Sequence, residues 1–495
     1  MEPQQLISFP FVFAFLLFML MLVKRSKKIK IQNYSLPLPP GPSKLPLIGH
    51  LHHLLGLPHH SLRNLAKIHG PLMHLKLGEV SAVVISSPSV AKQMMKTDDL
   101  MFVDRPQNLA TKIMSYNGGD VIMAPYGEYW RQVRKICILE LLSPKRVQSF
   151  WAVREEEVSN LIGTISLMVG SPMNLSKNIF TLTNDITARA AFGKTCKDKQ
   201  AFITVMKEVV KLASGFAIAD LFPSLSFLEM ISGTKPKLER IHQKVDNMLD
   251  DIIREHKENR IAVKNLNEEV LEEDLVDVLL RLQEGGELEF PITMDNVKAI
   301  TLVSILMKSI YFTMFDGMNK KYQVTAGILQ LFCVLNSYIH HCSGHVQRRE
   351  RYFINGSRMD IFRTTKKPKS YEKAQAEVRR IFHGKKKIHH EDMTGLNYLR
   401  LVIKESLGLH PPAPLLVPRE CRERCEMDGY EIPKGSKVIV NAWAIGRDPE
   451  QWRDPESFEP ERFEDKSIDY KGTNFKIYTI RGWQEDMSRY IVWNI

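Results

Sequence analysis

Residues 6–23 form a run of 18 residues without a charge, and a helix rising about 1.5 Å per residue would carry them about 27 Å, close to the hydrocarbon thickness of a bilayer. One end of this chain is therefore expected in a membrane. A cleaved signal peptide would place its basic residues ahead of the apolar run and a small-residue cleavage site behind it. Here Lys24, Arg25, Lys27, Lys28 and Lys30 follow the run, as in a retained anchor whose positive flank stays in the cytoplasm. The formal charge of +12 has its one dense block at this flank and is otherwise scattered. A membrane surface, rather than nucleic acid, is the expected partner.

Behind the flank come Pro37, Pro39, Pro40, Gly41 and Pro42. Their fixed φ angles and missing N–H groups make a stiff, extended spacer expected to hold the body off the bilayer. The body is ordinary globular material, 44% hydrophobic and 25% charged, with no Gly/Ser-rich linker in the middle, so one main domain is expected. Six cysteines without paired short spacings argue against a disulfide-stapled secreted protein, and the lack of two CxxC pairs argues against structural zinc. Amphipathic periodicity predicts helices over 154–168, 238–260 and 398–409, and short β-like runs lie near 72–77, 82–85 and 437–440. The fold class expected is mainly α with a small β portion.

Several segments then share one family's wording: PPGP at 39–42, WRQVRK at 130–135, KESLGLHPPAP at 404–414, PRE at 418–420, NAWAIGRDPEQW at 441–452 and PERF at 460–463. Together they resemble a cytochrome P450 of the plant microsomal type that oxidises terpenoids and related metabolites. The resemblance divides the chain into a membrane anchor with its basic flank (1–30), the proline-rich spacer (31–50), an N-terminal part of the P450 domain (51–302), a foreign insert (303–371), a C-terminal part (372–476) and a frameshifted tail (477–495). It implies haem as cofactor, membrane lipid, NADPH-cytochrome P450 reductase and an apolar small-molecule substrate as partners, and residence on the endoplasmic reticulum membrane with the body facing the cytoplasm. No phosphate-cradling GxGxxG or GxxxxGK[ST] occurs, which leaves nicotinamide and flavin to the reductase.

By the same resemblance, Trp130 and Arg134, four apart on one helical face, are expected to donate to a haem propionate, with His410 and Arg419 as further donors on that side. Glu405 resembles the buried helix carboxylate that pairs with an arginine three residues on and with the arginine of PERF, here Arg462. Gly408 stands where the first arginine belongs. A buried carboxylate short of a cation is costly to keep ionised, and a mid-helix Gly costs about 1 kcal/mol besides. Substrate contacts are expected from Phe102 and Leu109 at the ends of one loop, from Phe216, and from Pro414, Leu415, Leu416 and Val417.

The family's iron is held by a cysteine thiolate in FxxGxRxCxG, shortly after PERF, whose electron donation favours O–O cleavage. Here the sequence reads NFKIYTIRGWQEDMSRYIVWNI, and no cysteine follows Cys425. The expected axial ligand is absent, and no catalytic residue is intact. One permitted codon choice for residues 477–493, read one base later, yields FIPFGGGRKICPGISF, the whole ligand motif. Residues 344–355, GHVQRRERYFIN, likewise shift to DMFSAGRDTSS and onward into Thr, an oxygen-binding helix motif whose Asp and Thr would relay protons. Val303 and Ser304 can be encoded as a splice donor, and Ser343 with the first base of Gly344 as an acceptor. The bases between are not a multiple of three, so an unspliced intron would itself cause the shift. KKPKSY at 366–371 shifts to RNPKVM, and a second small indel restores the frame at Glu372.

His340, His341 and Cys342 fall inside this insert and are read as no metal site. Cys421 and Cys425, in CxxxC spacing, are expected as surface thiols, and His52/His53, His59/His60 and His389/His390 as solvated or capping histidines. Two readings follow. The gene descends from, or correctly spliced encodes, a haem-thiolate monooxygenase. The polypeptide as written is a catalytically inactive, membrane-tethered remnant.

Overall fold

The computed structural model describes residues 36–316, 368–383 and 395–464, apart from 142, 169–174, 194–200, 203, 207, 210–217, 226–232, 267–272, 287 and 412. The expected anchor, Phe216, most of the expected insert and the tail lie outside the described residues.

β-branched residues dominate the strands at 80–85 and 437–440, and leucines the one at 72–77. β1 (Leu72–Leu77) and β2 (Val80–Ile85) form an antiparallel hairpin, β2 pairs in parallel with a late strand at Lys437–Val440, and a short strand at Arg419–Glu420 closes the other side. In chain order the later strands are β3 (Arg419–Glu420), β4 (Cys425–Met427), β5 (Tyr430–Ile432) and β6 (Lys437–Val440), so the sheet order is β1-β2-β6-β3. Alternation puts Val83 and Ile85 into one apolar cluster and Ala82 and Val84 into another, so both faces of β2 are covered. β4 and β5 make a separate hairpin around Asp428 and Gly429, whose φ angles of 52° and 78° are those of the Asp-Gly turn that matches strand twist.

The proline spacer does not simply hold the body away from the membrane. Glu431 N donates to Pro37 O at 2.9 Å and His74 N to Pro40 O at 2.9 Å, so residues 37–40 lie along both sheets. Proline lacks a donor but keeps its carbonyl, and Gly41 passes so close to β1 that a Cβ would sit 2.3 Å from His74 O.

Helices make up the remainder: α1 (Pro58–His69), α2 (Leu109–Met114), α3 (Glu128–Ile136), α4 (Trp151–Leu167), α5 (Leu175–Phe192), α6 (Thr234–Leu266), α7 (Leu275–Gly285), α8 (Met294–Asp316), α9 (Pro368–Phe382), α10 (Asn397–Leu409) and α11 (Ala442–Ile445). α6 and α10 contain the helices expected over 238–260 and 398–409, and α4 covers the one expected over 154–168 except Met168, its C-cap. Val276, Leu279 and Leu280 of α7 and Val297, Ile300 and Ile305 of α8 share the largest core with Ala188 and Phe192 of α5. α8 runs on past Leu302 to Asp316.

α7 begins at a reciprocal cap. Asp274 accepts from Asp277 N at 3.0 Å, and Asp277 accepts from Asp274 N at 3.3 Å. The other Asp274 carboxylate oxygen faces His256 Nε2 of α6 at 2.8 Å, while His256 Nδ1 faces Ile252 O at 2.7 Å. Both ring nitrogens meet acceptors, which calls for the doubly protonated imidazolium. Burial pulls the His256 pKa down, but the hydrogen bond and charge of Asp274 outweigh it, and the net shift is upward.

Candidate functional site

Trp130 and Arg134 lie on one face of α3, and the Arg134 guanidinium stacks over the indole at 5.0 Å. The Trp130 N–H is already engaged, donating to Val121 O at 2.9 Å. Arg134 Nε is buried and meets no hydrogen-bond partner among the described residues. A guanidinium N–H in that position calls for an acceptor, and an anionic oxygen is the one that would satisfy it best.

Tyr126, just ahead of α3, carries contacts to the second part of the site. Its ring lies 5.4 Å from Trp130 and takes the Arg422 guanidinium at 6.0 Å. Arg422 in turn clasps Asp104 through two hydrogen bonds, Nε to Oδ2 at 3.0 Å and Nη2 to Oδ1 at 2.9 Å. Arg419 on β3 is buried and donates to Phe102 O at 3.2 Å. Arg105 donates to Val417 O and Pro418 O, each at 3.4 Å. The structure thus joins the 102–109 loop to the 417–422 segment around Arg419. Sequence reasoning bracketed this loop by its apolar ends and missed Asp104, Arg105 and Arg422, whose charges were the available signal.

Among the expected substrate contacts, Phe102 is a core residue packed with Val83, Val438 and Ile445. Leu109 begins α2, its N–H donating to Asp220 at 2.9 Å. Pro414 O accepts from Trp443 N at 3.1 Å. Leu415, Leu416 and Val417 then pack against three different clusters, and Leu416 takes the left-handed φ of 51° that this fan of directions requires.

Glu405 of α10 is 3% exposed. One carboxylate oxygen accepts from Glu459 N at 2.7 Å, and the other faces Arg462 Nε at 3.4 Å. Burial pushes the Glu405 carboxyl up to about 7 against the pull of these partners. Gly408 is buried with Glu405, and a Cβ built on it would meet nothing within 4 Å. It is the penultimate residue of α10 rather than a mid-helix one, so its helix-propensity cost is smaller than the sequence suggested. His410 follows directly. Burial and the nearby charge of Arg447 hold its imidazole down to about 3, so it is neutral and can offer a hydrogen bond but no cation. The buried cation here is Arg447, stacked over Trp443 at 4.1 Å, hydrogen-bonded to Leu409 O and paired with Glu456 at 3.2 Å. Its signal was its place in the quoted motif at 441–452.

Haem would need both an anion-binding side and an axial thiolate. Arg134 fits the first. Nothing among the described residues fits the second: the Cys137 thiol is packed in the helical core and pushed up to about 12, first by burial, while Cys421 and Cys425 face each other with sulfurs 3.8 Å apart. The surface-thiol expectation fails for Cys421, which is 1% exposed beneath the β4–β5 hairpin.

Comparison with known proteins gives a consistent outcome. The cytochrome P450 family profile matches residues 39–307 and 355–478. A desmethyl-deoxy-podophyllotoxin synthase of Sinopodophyllum hexandrum is 53% identical over 90% of this chain and 80% of its own length. A premnaspirodiene oxygenase of Hyoscyamus muticus is 46% identical over 90% of this chain and 81% of its own. A melianol synthase of Azadirachta indica is 44% identical over 90% and 80%. A solved zebrafish cytochrome P450 with abiraterone superposes with a TM-score of 0.60 at 21% identity, covering 82% of this chain and 83% of that one.

Proposed function

Since this chain belongs to the cytochrome P450 family, we propose that its gene encodes a haem-thiolate monooxygenase placing one oxygen atom of O2 into an apolar, terpenoid-like plant metabolite, and that the polypeptide as written is an inactive form of it. The observation that carries the first half is the 46% identity to an oxygenase and 44% to a melianol synthase across nine-tenths of the chain. If haem is bound, Arg134 would offer its unpartnered Nε to the propionate side, with Trp130 beneath the guanidinium, and Arg419 and the neutral His410 would be further donors there. Leu109, Phe216 and the 414–417 segment shape the substrate side, and Phe102 supports that loop from the core. Electrons come from an NADPH-dependent reductase on the endoplasmic reticulum membrane, to which residues 1–30 anchor the chain. When bound, haem supplies the oxygen chemistry; the protein supplies orientation and counter-charge.

The second half rests on the absence of any cysteine after Cys425, where the thiolate ligand belongs. The break in the family match between 307 and 355, and its end at 478, support a foreign stretch within the 303–371 region and a frameshifted tail from 477. Sequencing the transcript tests both halves. Removal of codons 303–343 with one further base, together with restoration of both later frames, would make the gene's product a monooxygenase and end the inactive reading for it. Retention of those bases would leave the inactive chain as the product.

A further inference from the structure

β3 ends at Glu420 and β4 begins at Cys425, so residues 421–424 form an arch between the two sheets. Both feet of the arch are fixed. Cys421 N donates to Ser436 O at 2.9 Å, Gly435 N donates to Cys421 O at 2.8 Å, and Cys425 pairs with Ile432 across the hairpin. Arg422 is held by Asp104 and Arg424 by Glu431. The arch turns the two cysteine side chains toward each other, sulfur to sulfur at 3.8 Å. Closing to a bond of about 2.05 Å asks for a movement on the order of 2 Å, within reach of side-chain rotation.

The two thiols are unequal. Cys421 is buried among Met427, Ile432 and Val438, whereas Cys425 lies half-buried at the edge of that cluster. The single S–H of Cys421 has three acceptors in reach, Glu423 O at 2.8 Å, the Cys425 sulfur at 3.8 Å and Ile432 O at 4.0 Å. Ionisation of Cys425 favours the second. That hydrogen bond draws the Cys425 thiol down, against burial and the Asp98 carboxylate, and pushes Cys421 up. The less buried sulfur, that of Cys425, is the one that ionises first, and the thiolate is the nucleophile in thiol–disulfide exchange.

We propose that Cys421 and Cys425 are a redox modification site, in which Cys425 captures a low-molecular-weight disulfide of the glutathione class and Cys421 resolves it into an intrachain disulfide. The Cys425 thiolate attacks one sulfur of glutathione disulfide; the S–S bond breaks, and the departing glutathione thiolate takes up the proton Cys425 has lost. Cys421 then gives up its proton and attacks the Cys425 sulfur of the mixed disulfide, and the second glutathione leaves as thiolate to take up that proton. Two protein thiols are oxidised to one disulfide, and one glutathione disulfide is reduced to two thiols. The reducing poise of the cytoplasm keeps the pair open until glutathione disulfide accumulates.

The test treats the full chain with glutathione disulfide, blocks remaining thiols with a maleimide, and digests it with trypsin without reduction. Only molecules in which the core residue Cys137 stays unblocked by maleimide are read, which confines the measurement to folded chain. Expected is loss of both thiols to the maleimide and a peptide 420–422 joined to 425–434. Cys421→Ser should stop at a glutathione adduct on Cys425, and Cys425→Ser should leave Cys421 unreacted. Linkage of Cys425 to Cys196, Cys333 or Cys342, a wild-type adduct on Cys425 beside a free Cys421, or undiminished reaction of Cys421 in Cys425→Ser would each overturn the proposal.

Discussion

Arg462 reaches the Glu405 carboxylate with Nε 3.4 Å from its oxygen, while the same guanidinium donates to Ser457 O at 2.8 Å and to Asp454 O and Arg453 O at 3.2 Å. A cation shared among several carbonyls neutralises the acid only in part, and desolvation prevails. The folded chain therefore binds a proton on Glu405 more tightly than the unfolded chain does. Stability should fall as pH rises from the ordinary value of 4.5 through about 7. Glu405→Gln should flatten that dependence in urea titrations between these limits; an unchanged slope would assign it to other groups.

Gly408→Arg should place a guanidinium in the space beside Glu405, since its Cβ has room. Breaking a buried ion cluster by removing one partner costs about 3 to 5 kcal/mol, and restoring the partner should recover on the order of 3 kcal/mol of that. In a frame-repaired chain the same change should raise holoprotein yield. Equal yields with glycine and arginine would show that Arg462 alone suffices.

His256 ties α6 to the start of α7 as an imidazolium. Its folded pKa is raised, so its contribution is fully present below the unfolded value of about 6.5 and is lost as pH climbs through the folded value. His256→Phe leaves a buried Asp274 oxygen without a donor and should cost about 1 to 3 kcal/mol, more at pH 6 than at pH 9. Equal losses at both pH values in thermal melts would mean that the ring acts by shape alone.

Expressed with haem supplied, the chain as written should not develop the thiolate-type carbon monoxide difference band, because no cysteine follows Cys425. Appearance of that band would require one of the six cysteines to reach iron from outside the family's ligand motif.

The chain should sediment with microsomes, and deletion of residues 1–30 should shift most of it to the supernatant, because the uncharged 18-residue run and the basic block are lost together. Full retention would move the anchor into the body, where Leu45, Leu47, Leu55 and Leu57 are exposed.

Much of this architecture was readable before any coordinates. The 437–440 run became β6 through its β-branched Val438, Ile439 and Val440, the 72–77 run became β1 through the alternating burial of its leucines, and α6 followed its amphipathic period. The ties around Arg419 were not readable. They join residues more than three hundred positions apart, and nothing local to Asp104 names Arg422 as its partner. The docking of Pro37 and Pro40 was hidden for another reason: it runs through backbone carbonyls, which every residue has.

The parallel pairing of β2 with β6 imposes an order on synthesis. Ser81 and Ser436, 355 positions apart, hydrogen-bond beside the first pair of that ladder. On a ribosome β2 can pair with β1 at once, but its other backbone edge therefore waits unpaired until residues 437–440 have emerged, a slow closure that leaves an adhesive strand edge open. Whatever occupies 303–371 lengthens that wait. Demand for chaperones should rise with the length of chain between residues 85 and 437, independently of any haem.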